Sequence, residues 1–183
     1  MFYLINMTLV QSANLILGTL SVFGQIIIIL SVVYFLFFRD KFIPVKNFIA
    51  KHGILFAFIV SLTATLGSLF YSEIVGYQPC ILCWYQRILM YPQVILLGMA
   101  LWKKDKSIIN YSIVLSLVGS FIAAYHHLMQ IGIVPEGSCG AVGYSVSCAK
   151  IFVLTFGYIG LPLMALTAFL LMITSLTFAK LKN

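Results

Sequence analysis

Five long apolar stretches occupy most of this 183-residue chain, and they restrict its fold more than any other feature. They cover approximately residues 13–38, 53–71, 84–102, 108–129 and 151–178. A helix needs about 20 predominantly apolar residues to cross the hydrocarbon core of a bilayer. Backbone N–H and C=O groups find no water in that core, so each crossing segment has to be a helix. We therefore predict an all-α membrane protein that crosses the bilayer five times.

The composition excludes an ordinary soluble domain. Hydrophobic residues make up 62% of the chain and charged residues 8%, with a mean hydropathy of +1.10. Soluble globular proteins carry about 25% charged residues. The first stretch differs from a secretory signal peptide, because no charged residue precedes Arg39 and no small-residue cleavage site follows it. We interpret it as a retained helix.

The basic residues predict the topology. Nine of the eleven Lys and Arg residues follow the first, third or fifth stretch. They are Arg39, Lys41, Lys46, Lys51, Lys103, Lys104, Lys106, Lys180 and Lys182. Because positively charged loops stay on the cytoplasmic side, we predict an outer N-terminus, a cytoplasmic C-terminus, and outer loops at residues 72–83 and 130–150. These residues then serve as juxtamembrane anchors, and nucleic-acid binding is disfavoured.

All four cysteines fall in the two predicted outer loops. Cys80 and Cys83 form a Cys-x-x-Cys motif in the first loop, and Cys139 and Cys148 flank a glycine-containing segment in the second. Disulfides persist in extracytoplasmic compartments. Of the possible pairings, the simplest is a pair within each loop.

The Cys-x-x-Cys motif has the sequence setting of a reactive thiol pair. Pro79 suits the first position of a helix, so we expect the motif to open the third span. A helix N-terminus stabilises a thiolate, and cysteines in such motifs commonly have a lowered pKa. Arg87 follows Cys83 by one helical turn, which places a cation on the same face. An ionisable residue inside a span indicates a functional site.

The second cysteine loop indicates a different role. Residues 135–140 (PEGSCG) are typical of a turn, which leaves Cys139 accessible to an external thiol. Thiol–disulfide exchange needs such access, because a thiolate attacks one sulfur of the disulfide. An accessible pair and a pair at the lipid boundary together suggest a redox relay.

Other interpretations of these residues remain open. The two cysteine pairs could be structural disulfides, and Arg87 could extend to lipid headgroups. A zinc site would need ligands from both loops, and we expect no metal. Covalent haem attachment is excluded because Trp84, and not histidine, follows Cys83.

Three segments resemble one protein family. Residues 79–87 (PCILCWYQR) resemble the hallmark of the disulfide bond formation protein B (DsbB) family, in particular its BdbC-like branch. Residues 125–130 (YHHLMQ) and 157–166 (GYIGLPLMAL), the latter expected in the last helix, are supporting similarities. The resemblance covers approximately residues 51–178.

The resemblance implies a four-helix transmembrane bundle that holds a quinone near the outer surface. Residues 51–183 would form this domain, and residues 1–50 would supply one extra N-terminal transmembrane helix and a basic cytoplasmic loop. The implied activity is that of a protein-dithiol:quinone oxidoreductase in the bacterial inner (cytoplasmic) membrane. Such an enzyme reoxidises a soluble extracytoplasmic thioredoxin-like oxidase of the DsbA or BdbD type and reduces ubiquinone or menaquinone from the membrane pool.

The resemblance also implies roles for the cysteines and the arginine. Cys139 and Cys148 would exchange with the partner, with Cys139 as the expected site of the mixed disulfide. Electrons would then pass to Cys80 and Cys83. Cys83 is expected beside the quinone ring, and Arg87 is expected to polarise the quinone and stabilise the thiolate.

Three further side chains are candidates near the quinone. Trp84 could form a wall of the site or act as an interfacial anchor. His126 could bond a quinone carbonyl or transfer a proton, since histidine titrates near physiological pH. His127 is expected to contact headgroups or water.

Two features depart from the family pattern. The first helix is additional to the four-helix core. We expect this helix to face lipid; the alternative is that it forms part of an interface. The interval between Cys139 and Cys148 is shorter than in the best-known DsbB proteins.

Two other functions compete with this interpretation. A vitamin K epoxide reductase-like enzyme has related chemistry, but in that family the loop cysteines precede the membrane-boundary Cys-x-x-Cys, and here the order is reversed. A non-enzymatic membrane protein with two structural disulfides would have inert disulfides and no dependence on Arg87.

Overall fold

The computed structural model describes residues 2–37, 43–135 and 146–180, with side chains at 8–37, 51–135 and 146–180. Its long helices are α1 (Phe2–Phe37), α2 (Ile43–Leu69), α3 (Ile81–Lys103), α4 (Ile108–Gln130) and α5 (Leu161–Lys180). A π-helical turn, Phe70–Ile74, extends α2. The predicted all-α architecture of a four-helix bundle plus one N-terminal helix is confirmed. Predictions that concern the side chains of Arg39, Lys41, Lys46, Cys139 and Lys182 lie outside the described residues.

The helices have the length and composition of membrane spans. Four segments are long and apolar enough to cross a bilayer: Thr8–Phe37, Lys51–Ile74, Ile108–Gln130 and Leu161–Lys180. The helix α3 has 23 residues, the same length as α4, but it is less apolar because it carries Gln86, Arg87 and Gln93. It packs against both α2 and α4. The chain is a multi-pass helical membrane protein in which α3 is the most polar member of the bundle.

The start of the fifth helix differs from the prediction. The apolar stretch begins at residue 151, but α5 begins at Leu161. Residues before it form a tight turn in which Thr155 and Ile159 exchange two backbone hydrogen bonds of 2.9 Å. Phe156 and Gly157 have φ values of 55° and 77°, which a right-handed helix cannot contain. The segment 157–166 therefore lies only partly in the last helix.

The position of Pro79 also differs from the prediction. Pro79 precedes the first helical residue of α3, Ile81, by two positions, and Cys80 is the N-cap residue. Pro162 lies in the first turn of α5, where its missing N–H disturbs no helical bond and produces no kink. Pro92 lies inside α3.

The central helix of the described bundle is α5, which packs against α1, α2 and α4. Its side chains Phe169 and Met172 are fully buried. Glycines let the neighbouring helices approach closely, since a Cβ atom at Gly119 would overlap the Phe169 ring and one at Gly53 would overlap the α5 backbone at Ser175. These contacts fix α4 and α2 against α5.

The first helix runs parallel to α5. Gly24 lies against Leu171, and Tyr34 packs on Phe178 with ring centroids 6.1 Å apart. Residues on the other side of α1, such as Ile29, are exposed. The expectation of a lipid-facing helix therefore applies to one side only, because the opposite side packs on the bundle.

Cys80 and Cys83 lie at the opposite end of the bundle from Lys103 and Lys180. Cys80 precedes α3 and His126 lies in the last turns of α4, which defines the cysteine end. Lys103 ends α3 and Lys180 ends α5, which defines the basic end. The predicted separation of positive charge from the cysteines therefore holds for these described residues.

Candidate functional site

Cys80 and Cys83 lie at the N-terminus of α3. Cys80 has an extended backbone (φ −74°, ψ 172°), and its carbonyl accepts a hydrogen bond of 3.1 Å from the Trp84 N–H. Its Sγ donates to the Cys83 Sγ at 3.2 Å. This hydrogen bond, together with burial, raises the pKa of the Cys80 thiol to about 12. Cys80 therefore keeps its proton, and Cys83 supplies the accepting sulfur.

The His126 imidazole connects this motif with the second cysteine segment. Its Nε2 lies 3.0 Å from the Cys148 carbonyl oxygen and 3.7 Å from the Cys80 Sγ, and its Nδ1 lies 3.0 Å from the Gln86 side-chain nitrogen. A carbonyl only accepts and an amide NH2 only donates. Nε2 therefore carries the proton and Nδ1 accepts. At 2% exposure, the His126 side chain connects the two cysteine segments.

Cys148 is buried against the Cys-x-x-Cys motif. It is 1% exposed and belongs to one apolar cluster with Cys80, Leu82 and Met129, against which Cys83 also packs. The structure therefore brings a cysteine of the second predicted pair beside both cysteines of the first.

Arg87 is held where α3 meets the end of α2. Its guanidinium donates to the Ser68 carbonyl at 3.1 Å and lies 5.4 Å from the centre of the Trp84 ring. The Tyr91 hydroxyl donates to the Ser68 hydroxyl oxygen at 3.1 Å. A carbonyl and an aromatic ring stabilise the guanidinium without cancelling its charge. Arg87 therefore presents a positive charge one turn from Cys83.

A cavity of about 390 Å³ lies beside Cys83 and Arg87. All five helices contribute to its wall, and most of its lining side chains are apolar, for example Leu17 of α1, Val60 of α2 and Met90 of α3. A mostly apolar cavity with a few polar groups is typical of a binding site for a small molecule.

Aromatic rings cover the cysteine end of the cavity. Tyr71 stacks on Tyr77 with centroids 6.0 Å apart, and Tyr77 stacks on Phe152 at 4.9 Å. The Tyr71 hydroxyl donates to the Asn14 side-chain oxygen at 2.7 Å, which ties the stack to α1. Tyr71 belongs to the π-helical turn, and such turns are frequent at functional sites. We call these three rings the aromatic roof.

Three potential metal ligands also meet in this site. The ligand atoms of Cys80, Cys83 and His126 lie within 4.8 Å of one another, close enough to hold a soft metal ion such as zinc. The His126 Nε2–H and the Cys80 thiol are instead engaged in the hydrogen bonds given above. The expectation of no metal stays a prediction.

The family model described as disulfide bond formation protein DsbB matches residues 50–179. The chain belongs to the DsbB family. The match contains both cysteine segments and the helices α3, α4 and α5, whereas α1 precedes it. The resemblance found in the sequence is confirmed.

Relatives of this DsbB-family protein carry names from disulfide bond formation. A probable disulfide formation protein C 1 from Bacillus cereus is 42% identical over 120 residues, which is 66% of this chain and 86% of that protein. Disulfide bond formation protein C from Bacillus subtilis is 41% identical over 131 residues, 67% of this chain and 91% of that protein. A prophage-derived disulfide bond formation protein B from Bacillus subtilis is 46% identical over 121 residues, 66% and 80% of the two chains.

No solved structure gave a significant match to the chain. Family and relatives together place this DsbB-family protein in membrane disulfide bond formation.

The DsbB-family structure brings most of the predicted site residues together. They are Cys80, Cys83, Arg87, His126 and Cys148. Trp84 is half exposed and contacts Arg87, but it is not among the residues that line the cavity. His127 does not line the cavity either, and its Nδ1 has no hydrogen-bond partner in the described part of the chain.

Sequence reasoning missed several polar residues of the site. Gln86 follows Cys83 by three positions, a spacing that predicts a shared helix face and could have identified it. Ser68, Tyr71 and Asn14 carry no comparable signal, because their roles depend on how α1 and α2 pack beside α3.

Proposed function

We propose that the protein is a membrane protein-dithiol:quinone oxidoreductase. It reoxidises a soluble extracytoplasmic thioredoxin-like disulfide oxidase and reduces ubiquinone or menaquinone. One observation carries the proposal. Cys83, which is hydrogen-bonded to Cys80, and the cationic Arg87 line a mostly apolar cavity among membrane-crossing helices. A lipid-soluble electron acceptor reaches such a cavity from the bilayer, whereas a water-soluble one does not.

The cavity lining fits a quinone. Arg87 has guanidinium N–H groups beyond the one bonded to Ser68, and these can donate to a quinone carbonyl. The aromatic roof offers apolar ring surface, and the remaining apolar wall suits an isoprenoid tail. A bound quinone supplies an acceptor for an electron pair and two protons.

The cysteines of α3 are arranged as the electron donor. Their sulfurs are 3.2 Å apart, so the S–S bond forms with little movement. Oxidation of this dithiol releases an electron pair and both thiol protons, which pass to the quinone as it becomes quinol. Arg87 offers positive charge one turn from Cys83, where negative charge develops during oxidation.

In this proposal the second cysteine pair exchanges with a protein partner. In the proposed sequence, the reduced partner attacks the Cys139–Cys148 disulfide, and the resulting dithiol then reduces Cys80–Cys83. Each exchange passes through a mixed disulfide and conserves one S–S bond. The burial of Cys148 in one cluster with Cys80 supports direct transfer between the pairs.

The proposed location is the bacterial cytoplasmic membrane, with the cysteine end outside. The basic end, with Lys103 and Lys180, would then face the cytoplasm. This orientation places the thiols in an oxidising compartment that also contains exported proteins.

The test is quinone reduction by the detergent-purified protein supplied with a reduced thioredoxin-like oxidase. We expect turnover by the wild type with ubiquinone-1 or a short-chain menaquinone, and no turnover by Cys83→Ala or Cys139→Ala. Ser147→Ala, next to Cys148, is the control and should retain activity. Absence of wild-type turnover with either quinone, with the native cysteines unchanged by mild reductant, would identify structural disulfides instead.

A further inference from the structure

The first helix supplies a wall of the cavity although it precedes the region matched by the DsbB family. Its lining residues recur every three or four positions, which places them on one helix face. They include Leu17, Leu20, Ser21, Gly24 and Ile27. This face is directed at the cavity, so α1 belongs to the binding site and is more than a membrane anchor.

Exposure shows where the cavity opens. Apart from Gln78 at the cysteine end, the lining residues exposed at the surface all belong to α1 or α2. They are Leu20, Phe23, Ile27, Ile59 and Thr63. The lining residues of α3, α4 and α5 are buried or half-buried. The cavity therefore opens sideways, between α1 and α2.

The depth of this opening identifies its surroundings. Leu20–Ile27 falls in the middle of the span Thr8–Phe37, and Ile59–Thr63 falls in the middle of the span Lys51–Ile74. The middle of a span lies in the hydrocarbon core of the bilayer. The mouth consequently faces lipid tails, and the aromatic roof covers the cysteine end.

The position of α1 beside the mouth is fixed by contacts with α5. A Cβ atom at Gly24 would lie 2.8 Å from Leu171 and 2.9 Å from Thr167, so a larger residue would force these side chains to shift. Gln25 donates to the Thr167 hydroxyl at 3.5 Å and accepts from the Tyr158 hydroxyl at 3.2 Å. These contacts hold α1 against α5 at Gly24 and Gln25, while Leu20, Phe23 and Ile27 remain exposed at the mouth of the cavity.

We propose that α1 and α2 form a lateral entrance through which the quinone enters from the bilayer, and that Leu20 and Ser21 of α1 determine which quinones are admitted. Leu20 lies at the mouth of the cavity, and the buried Ser21 lines the cavity behind the mouth. The proposal rests on the proposed quinone reduction. It assigns to this chain a substrate-selecting element that is additional to the family's matched region.

The test compares matched tryptophan variants on α1. Leu20 and Leu15 are the same residue type with 51% and 56% exposure, but Leu15 lies about 140° around the helix and does not line the cavity. We expect Leu20→Trp to slow the association of decyl-ubiquinone, followed by stopped-flow fluorescence, by about tenfold, a steric penalty like that of an overpacked site. Leu15→Trp should leave the rate within about twofold of wild type.

Two further measurements keep the test independent of turnover and folding. Ser21→Phe fills the cavity from inside and should raise the equilibrium Kd for decyl-ubiquinone by at least about tenfold. A quinone with an azide on its tail should label α1 and α2 peptides around the mouth in the wild type, as mapped by mass spectrometry.

The outcomes separate the two proposals. Normal wild-type turnover with equal association rates in Leu20→Trp and Leu15→Trp, and labelling confined to α3, α4 or α5, would overturn the entrance alone. Absence of wild-type quinone turnover and of saturable quinone binding would overturn the proposed function and the entrance with it.

Discussion

His126 is the residue whose contacts link the most parts of the site. Its ring bonds Gln86 of α3 and the Cys148 carbonyl, and it lies near the Cys80 sulfur. A single imidazole therefore sets the position of the second cysteine segment relative to the first. This role concerns transfer between the cysteine pairs more than reduction of the quinone.

We expect His126→Ala to slow partner-driven turnover by at least about fivefold, because it leaves buried polar groups of Gln86 and Cys148 without their partner. Quinone reduction by the chemically reduced Cys80–Cys83 pair should be affected less. Rapid mixing of the enzyme with reduced partner, and separately with quinone, measures the two steps. His127→Ala is the control, and equal effects of both histidine variants would contradict the positioning role.

Substitutions of Arg87 test whether the positive charge at the cavity is needed for quinone reduction. Lysine keeps the cation but loses the planar guanidinium that contacts Ser68 and Trp84, whereas glutamine loses the charge. We expect kcat/KM for the quinone to fall by about tenfold in Arg87→Lys and by a further factor of about ten in Arg87→Gln. Unchanged kinetics in both variants would show that Arg87 only anchors the helix at the headgroups.

At the scale of single elements, close helix packing depends on glycines. A Cβ atom at Gly119 would meet the ring of the buried Phe169, whereas one at Gly98 would lie 3.3 Å from the edge of the Phe58 ring, which is only half-buried. The buried Phe169 ring has less room to move than the half-buried Phe58 ring.

We therefore expect Gly119→Ala to destabilise the protein by about 1–3 kcal/mol, through forced separation of α4 and α5. Gly98→Ala should be neutral or slightly stabilising, because alanine favours the helix by about 1 kcal/mol over glycine. Thermal unfolding in detergent measures both. Equal unfolding temperatures for the two variants would contradict the packing described for α5.

The elements were predictable where a long apolar run decided them, as in α4, which begins at the predicted residue Ile108. The start of α5 was not, because the apolar side chains of residues 151–160 conceal a turn made by positive φ values at Phe156 and Gly157. The hydrogen bond between Tyr71 and Asn14 was not predictable either, because it joins residues far apart in the sequence and no local sequence pattern indicates it. The cysteine motif was predictable because helix geometry alone places Arg87 near Cys83.

At the scale of the whole molecule, charge distribution predicts the orientation in the membrane. An alkaline phosphatase fused after Ile133, at the cysteine end, should be active in cells, because that enzyme needs an oxidising compartment for its disulfides. A fusion after Lys104, at the basic end, should be inactive. Activity in the reverse order would contradict the topology and place the thiols in the cytoplasm.

Direct electron transfer from the cysteines to quinone is the claim on which the account depends. The decisive measurement is an anaerobic single turnover: the protein is reduced, freed of reductant and mixed with one equivalent of decyl-ubiquinone. We expect quinol, measured by absorbance, in equal amount to the total disulfide found by mass spectrometry in the wild type, and in equal amount to the Cys80–Cys83 disulfide in Cys139→Ser. Thiols that stay reduced beside oxidised quinone, in a folded wild-type protein, would contradict the account.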